Sequence, residues 1–206
     1  MNGGRFITLE GLEGAGKSSR AVELKAFLER HGKPVLLTRE PGGTPLGERL
    51  RELLLTPADT PMAPLTELLL MFAARSEHVT RVILPALDAG QWVVCDRYVD
   101  ASYAYQGGGR GLGAAPVAAL EALLPPRARP DLTVLLDLPV ETGLARASKR
   151  GAADRFERET VEFHARVRAA YLDRAQQAPQ RYCVVDAAAD PAAVQADIER
   201  AAGALL

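Results

Sequence analysis

Gly11-Leu12-Glu13-Gly14-Ala15-Gly16-Lys17-Ser18 lies between an apolar run, Arg5–Glu10, and an amphipathic one, Ser18–His31. It matches G-x-x-x-x-G-K-[ST] where that pattern forms a phosphate cradle, after a strand and at the opening of a helix. A chance match in a chain of this composition has a probability of about 0.002. Glycines let the backbone curl until successive N–H groups point inward. The helix N-terminus adds partial positive charge. Lys17 can then reach β- and γ-phosphates. The Ser18 hydroxyl can ligate Mg²⁺, which takes phosphate oxygens and waters as its other ligands. The loop therefore predicts a nucleoside triphosphate site, without saying what is done with the nucleotide.

Outward from the loop, β-rich runs alternate with helical ones. Further strands are expected at Pro34–Thr38, Gln91–Asp96, Leu132–Asp137 and Tyr182–Asp186. Helices are expected at Leu46–Leu55, Leu65–Ala89, Ala115–Leu124, Val140–Arg150, Glu157–Gln177 and Pro191–Leu205. The strand cores FITL, VLL, WVVC, TVLL and YCVV are nearly continuous apolar runs, as in strands covered on both faces. The expectation is a three-layer α/β fold with a central five-stranded parallel sheet flanked by helices. At 206 residues the chain reads as one domain, 1–206. With 48% apolar and 25% charged residues, it has ample material for a core.

A net charge of −1 argues against a general nucleic-acid binder. The most apolar helical run, Leu65–Ala74, is interrupted by Thr66 and Glu67 and is too short to cross a bilayer. The lysines are Lys17, Lys25, Lys33 and Lys149, so 21 of the 25 cationic residues are arginine, the side chain that grips phosphate as a fork. Cys95 and Cys183 sit in strands and read as buried thiols, which suits a reducing cytoplasm. His31, His78 and His164 are scattered and pair with no cysteine, so no zinc site is expected.

In parallel sheets, ligands bind beyond the carboxyl ends of the strands. Three clusters share that rim: Arg39-Glu40-Pro41-Gly42-Gly43-Thr44, Asp96-Arg97-Tyr98 and Tyr105-Gln106-Gly107-Gly108-Gly109-Arg110. Two arginines beside a triphosphate suit a second phosphorylated molecule, which must be docked against the charge of the first. Asp137 also ends an apolar strand and rivals Asp96 as a metal-site acid. Asp96 is preferred because Arg97 follows it.

These stretches together resemble the thymidylate kinases. The resemblance rests on FITLEGLEGAGKSS, TREPGGTPLGERLRELLL, VVCDRYVDASYAYQGGGRGLG and LLDLPVETGLARASKRGAADRFE, and covers nearly the whole chain. It implies a P-loop kinase fold and transfer of phosphate from ATP to dTMP with Mg²⁺. It also implies a homodimer, for which Leu46–Leu55 and Leu65–Ala74 are apolar enough. By the same resemblance, residues Gly11 to Ser18 hold ATP and Glu13 accepts from the dTMP 3′-hydroxyl. In the family's pattern, Asp96 serves the metal through water. Arg97 clamps phosphate where donor and acceptor meet. Arg39 and Glu40, with Arg51 as helper, shape the acceptor-phosphate end. Ser102 and Gln106 hydrogen-bond the thymine edge, and Tyr105 lies against the sugar, leaving little room for a ribose 2′-hydroxyl. Arg75 reads a thymine carbonyl. The family's stacking phenylalanine stands four residues before that arginine; here that position is Met71, and Phe72 is favoured as the stacking group.

The phosphate loop carries no arginine. Some thymidylate kinases carry a catalytic arginine in that loop and others in a lid, so the resemblance implies a lid at the small, charged, glycine-bearing run of about residues 148–157, with Arg150 and Arg155 as candidates and Arg146 over the adenine. Asp186-Ala187-Ala188 falls at the family's base-binding loop. The Glu40–Pro41 bond is a candidate cis peptide. Another nucleoside-monophosphate kinase of the same fold is the nearest alternative. A nucleotide switch module is the more distant one, and the N-K-x-D motif of a GTPase switch is missing from the sequence.

Overall fold

β1 (Phe6–Gly11) is buried at all six residues, which requires a neighbour on both edges and cover on both faces. The computed structural model describes residues 3–150 and 154–206, apart from the side chain of Arg150. It places β1 at the centre of a five-stranded, all-parallel sheet of order β2-β3-β1-β4-β5. The other strands are β2 (Val35–Arg39), β3 (Trp92–Asp96), β4 (Leu132–Asp137) and β5 (Tyr182–Asp186). Alternate residues feed opposite faces. Phe6, Val93 and Cys95 join one core cluster, whereas Ile7, Leu9 and Val94 join the other. This is the expected three-layer architecture.

The register sets the site. Asp96 lies opposite Leu9 of β1 and Arg39 of β2, and Gly11 lies opposite Leu136 of β4. The strand ends that carry Glu10, Arg39, Asp96 and Asp137 therefore open on one rim.

α1 (Lys17–Arg30) buries Lys17, Ala21, Leu24 and Leu28, a single stripe at helical spacing. α2 (Pro45–Leu55) starts at Thr44, whose side chain accepts from the Gly47 N–H. The run expected as one helix over Leu65–Ala89 is instead α3 (Pro64–His78), a π-helical turn at Val79–Ile83 and α4 (Leu84–Asp88). Pro85 has no N–H and its ring crowds the carbonyl four residues back, so a regular ladder cannot pass through it.

A second difference matters more. Val99–Gly109, to which the sequence reading gave no element, is helical: α5 (Val99–Ser102) runs into a π-helical stretch at Tyr103–Gly109. A Cβ on Gly109 would stand 2.6 Å from the Phe163 ring, so the glycine run lets this element pack against a neighbouring helix. That neighbour, α8 (Val161–Gln177), begins four residues later than Glu157, because Thr160 caps it by accepting from the Phe163 N–H. Between β3 and α8 lie α6 (Ala114–Glu121) and α7 (Val140–Ala147), the latter continuing as a short 3-10 turn to Arg150. α9 (Pro191–Gly203) closes the chain. The Glu40–Pro41 peptide is cis.

Candidate active site

The phosphate loop is held by backbone contact. Gly14 has φ +73°, and a Cβ there would stand 2.1 Å from the Gly143 carbonyl oxygen. Gly16, at φ 88°, precedes α1, and no side chain caps that helix. Its first N–H groups are left to the loop. Lys17 is buried, and its Nζ donates to the carbonyls of Leu12 (2.8 Å) and Gly11 (3.2 Å). Burial, aided by nearby Arg97, pushes its pKa down to about 8.

Ser18 Oγ donates to Asp96 Oδ2 at 2.6 Å. The rival carboxylate, Asp137, is closed by a forked pair with Arg168 at 2.7 and 2.8 Å. A hydroxyl and a carboxylate side by side at a phosphate loop are the hard oxygen donors that Mg²⁺ takes, so the residues present fit that ion. Arg146 Nη1 donates to the Ala187 carbonyl at 2.8 Å, which brings it to the segment Asp186-Ala187-Ala188.

Arg97 is the only non-glycine residue with positive φ (69°) among the described residues. Such a conformation persists only where surrounding contacts over-determine it. Nη1 donates to the Gly11 carbonyl (3.0 Å) and the Tyr171 hydroxyl (3.3 Å). Nη2 donates to Glu13 and to the Tyr105 hydroxyl (3.1 Å). Burial opposes its charge, but Glu13 and the two tyrosines outweigh that, and its pKa rises well above the ordinary arginine value.

Two clefts meet at this arginine. One, with about 1040 Å³ of open volume, runs along Gly14, Lys17, Ser18 and Asp96. The other, about 570 Å³, is walled by Met71, Arg75, Ser102, Tyr105, Gln106 and Phe156. Glu13, Glu40, Arg51, Arg97 and Asp154 line both. At this junction Arg51 Nη1 donates to the Pro41 carbonyl at 2.9 Å. Its pKa is lowered by burial and by the charge of Arg39. Arg39 itself pairs with Glu48 at 2.8 Å on the rim. Cations that crowd one another in this way favour an arriving anion.

The second cleft is built on two helices. Tyr98, Ala101, Ser102, Tyr105 and Gln106 all line it, at spacings of three and four residues. Arg75 on α3 faces them. It is buried and donates to Glu40 (2.7 Å), Ser102 (3.0 Å) and the Tyr98 carbonyl (2.9 Å). Glu40 also contacts His78 Nδ1 at 3.0 Å, so it acts as an anchor for Arg75 and does not pair with Arg39.

Two expectations are corrected. Phe72 does not line the cleft; Met71 does. One residue along a helix is a turn of about 100°, and this carries Phe72 into the opposite core cluster, with its ring 4.5 Å from the Arg75 guanidinium. Arg155 is not beside the phosphate loop. Its Nη1 donates to Glu67 at 2.5 Å and its Nε to the Leu54 carbonyl at 2.7 Å. A fully buried carboxylate attracts it more strongly than the open cleft does. The side chain of Arg150, with Gly151, Ala152 and Ala153 of the expected lid, lies outside the described residues. The sequence reading also missed Glu67, Tyr171, Asp154 and Phe156. Glu67 left a legible signal, a charge within the apolar stripe of α3; Tyr171 left none.

A phosphate loop at the end of the central strand, a hydroxyl–carboxylate pair beside it and a second cleft joined to it through arginines define a P-loop phosphotransferase of the nucleoside-monophosphate kinase class. The thymidylate kinase family model matches residues 9–198. The thymidylate kinase of Pseudomonas putida strain GB-1 is 61% identical over 196 residues, covering 95% of this chain and 93% of that one. That of Alkalilimnicola ehrlichii is 59% identical over 202 residues, covering 98% and 93%. The crystal structure of thymidylate kinase from Ehrlichia chaffeensis superposes with a TM-score of 0.78 at 31% identity, covering 98% of this chain and 99% of that one. The chain belongs to the thymidylate kinase family. Among the described residues, no helix is long and apolar enough to cross a membrane.

Proposed function

We propose that the chain transfers the γ-phosphoryl group of ATP to dTMP, giving ADP and dTDP, by direct in-line displacement. The observation that carries this reading is the pair of clefts joined at Arg97 and Arg51. A donor lying along Gly11–Ser18 and an acceptor against Arg75 and Gln106 meet end to end there. An oxygen of the dTMP phosphate attacks the γ-phosphorus as the bond to the β–γ bridging oxygen breaks. The protein's work in such a transfer is positioning and charge neutralisation.

Lys17 meets the β- and γ-phosphates, and Arg97 spans the junction. Arg39 and Arg51 hold the acceptor phosphate. Glu13 takes the 3′-hydroxyl, and Met71 covers the base that Arg75, Ser102 and Gln106 edge. Arg146 lies on the adenine side. Arg150 remains the lid's candidate for the transferring group. Ser18 and Asp96 would hold Mg²⁺, which when bound neutralises charge on the β- and γ-phosphate oxygens. The free thiols of Cys95 and Cys183 suit a cytoplasmic setting. Turnover with dTMP, dUMP, CMP and AMP tests the assignment: dTMP is expected to be fastest, and a faster ribonucleotide would overturn it.

Three further results are expected. Asp96→Asn should raise the Mg²⁺ concentration for half-maximal rate by roughly 10–100-fold, because the amide no longer accepts through both oxygens; a titration of rate against Mg²⁺ checks this. Tyr105→Phe should retain activity, since bulk excludes ribose, whereas Tyr105→Ala should admit ribonucleotides. Unchanged preference for deoxyribose in the alanine variant would remove that role. Leu46 and Leu53 on α2 and Leu65 and Leu69 on α3 are about half exposed, a paired apolar surface suited to a second copy. Light scattering should give about twice the 22.1 kDa chain mass.

A further inference from the structure

Glu67 is fully buried, yet no role in the transfer falls to it. Its Oε1 accepts from Gln106 Nε2 at 2.8 Å. Arg110 Nε lies 3.2 Å from both carboxylate oxygens, and Arg155 Nη1 lies 2.5 Å from Oε2. Flanked by two guanidinium groups, the carboxylate only accepts. The Gln106 amide must therefore turn its NH₂ toward Glu67, and its carbonyl oxygen is the group left for the cleft. Arg75, across the same cleft, carries donors only.

The cleft thus offers one fixed acceptor and one fixed donor. Thymine and uracil present the matching pair, an N3–H donor beside an O4 acceptor. Cytosine presents the reverse, an unprotonated N3 beside an amino group, and mismatches both. A buried polar group left without its partner is where discrimination becomes large.

We propose that Glu67 is a positioning residue for base selectivity: by holding the Gln106 amide nitrogen, it commits the Gln106 carbonyl to a base that carries a proton on N3. This rests on the reading above that the second cleft takes the base of the acceptor. Glu67→Gln removes the commitment, because a carboxamide can face Gln106 with either end and the Gln106 amide is free to turn over.

The test is kcat/KM for dTMP, dUMP and dCMP in wild type, Glu67→Gln and Glu67→Asp. The aspartate variant keeps the charge that Arg110 and Arg155 need for folding and withdraws the acceptor from Gln106. In both variants the preference for dTMP over dCMP should fall at least about tenfold, with the dTMP-to-dUMP ratio unchanged. A purely structural role would lower all three together, and parallel losses in either folded variant would overturn the proposal. Wild-type enzyme inactive on dTMP would overturn the reading of the cleft itself, a distinct result.

Discussion

Lys17→Met is expected to lower kcat by roughly 10²–10³-fold or more while the protein stays folded. Lys17 is a buried cation at the head of α1, its ammonium held against the Gly11 and Leu12 carbonyls of the phosphate loop. Methionine keeps the length and apolar stem but supplies no charge to the transferring group. Steady-state turnover with ATP and dTMP measures the loss; a decrease of less than tenfold would place the cationic work elsewhere. A nucleotide-binding module would have no turnover to lose.

The same burial has a stability consequence. A lysine held near pKa 8 against an ordinary 10.5 costs the folded state on the order of 3 kcal/mol at neutral pH. That cost is present below pH 8 and fades as pH rises through 8 to 10.5. Lys17→Met removes it, so the inactive variant should melt no lower than wild type. For wild type, kcat/KM for ATP should fall as pH rises through about 8, since the free enzyme then loses the lysine's proton. kcat should fall less, because bound phosphates hold that proton on.

Arg97→Lys should cost nearly as much as Arg97→Ala, roughly 10²-fold or more in kcat. One ammonium cannot reach the Gly11 carbonyl, Glu13 and the Tyr105 hydroxyl together, whereas the guanidinium does. A lysine variant within tenfold of wild type would reduce Arg97 to a point charge. The backbone supplies an independent check. At φ 69°, alanine is strained by about 1 kcal/mol and glycine is not, so Arg97→Gly should melt higher than Arg97→Ala.

Much of this enzyme is legible without coordinates. β1 and β4 fall close to where their apolar runs predict, because a strand covered on both faces must be apolar throughout; β5, an edge strand with Val184 half exposed, is marked instead by its β-rich run YCVV. The loop Gly11–Ser18 is legible for a similar reason: its chemistry depends on backbone shape and on consecutive residues. The cleft beside Arg75 is less so. Tyr98, Ala101, Ser102, Tyr105 and Gln106 carry helical spacing, but the glycines at 107–109 disguise it, and the close approach of α8 explains Gly108 and Gly109. The choice between Met71 and Phe72 turns on about 100° of helix rotation, set by which cluster each side chain fills.

Arg155 shows the limit most clearly. In the sequence it is one of two arginines in a charged, glycine-bearing stretch, with nothing to say where it points. Its destination is Glu67, 88 residues earlier, and charge pairs at that separation leave no local pattern. By itself the sequence determined the phosphate cradle and the parallel sheet, because contiguous motifs and apolar periodicity encode them. The tertiary structure alone decided which side chains are locked to one another: Arg97 to Glu13, Arg75 to Glu40, and Gln106 and Arg155 to Glu67. Those pairings depend on which groups burial forces together, and burial is a property of the folded chain.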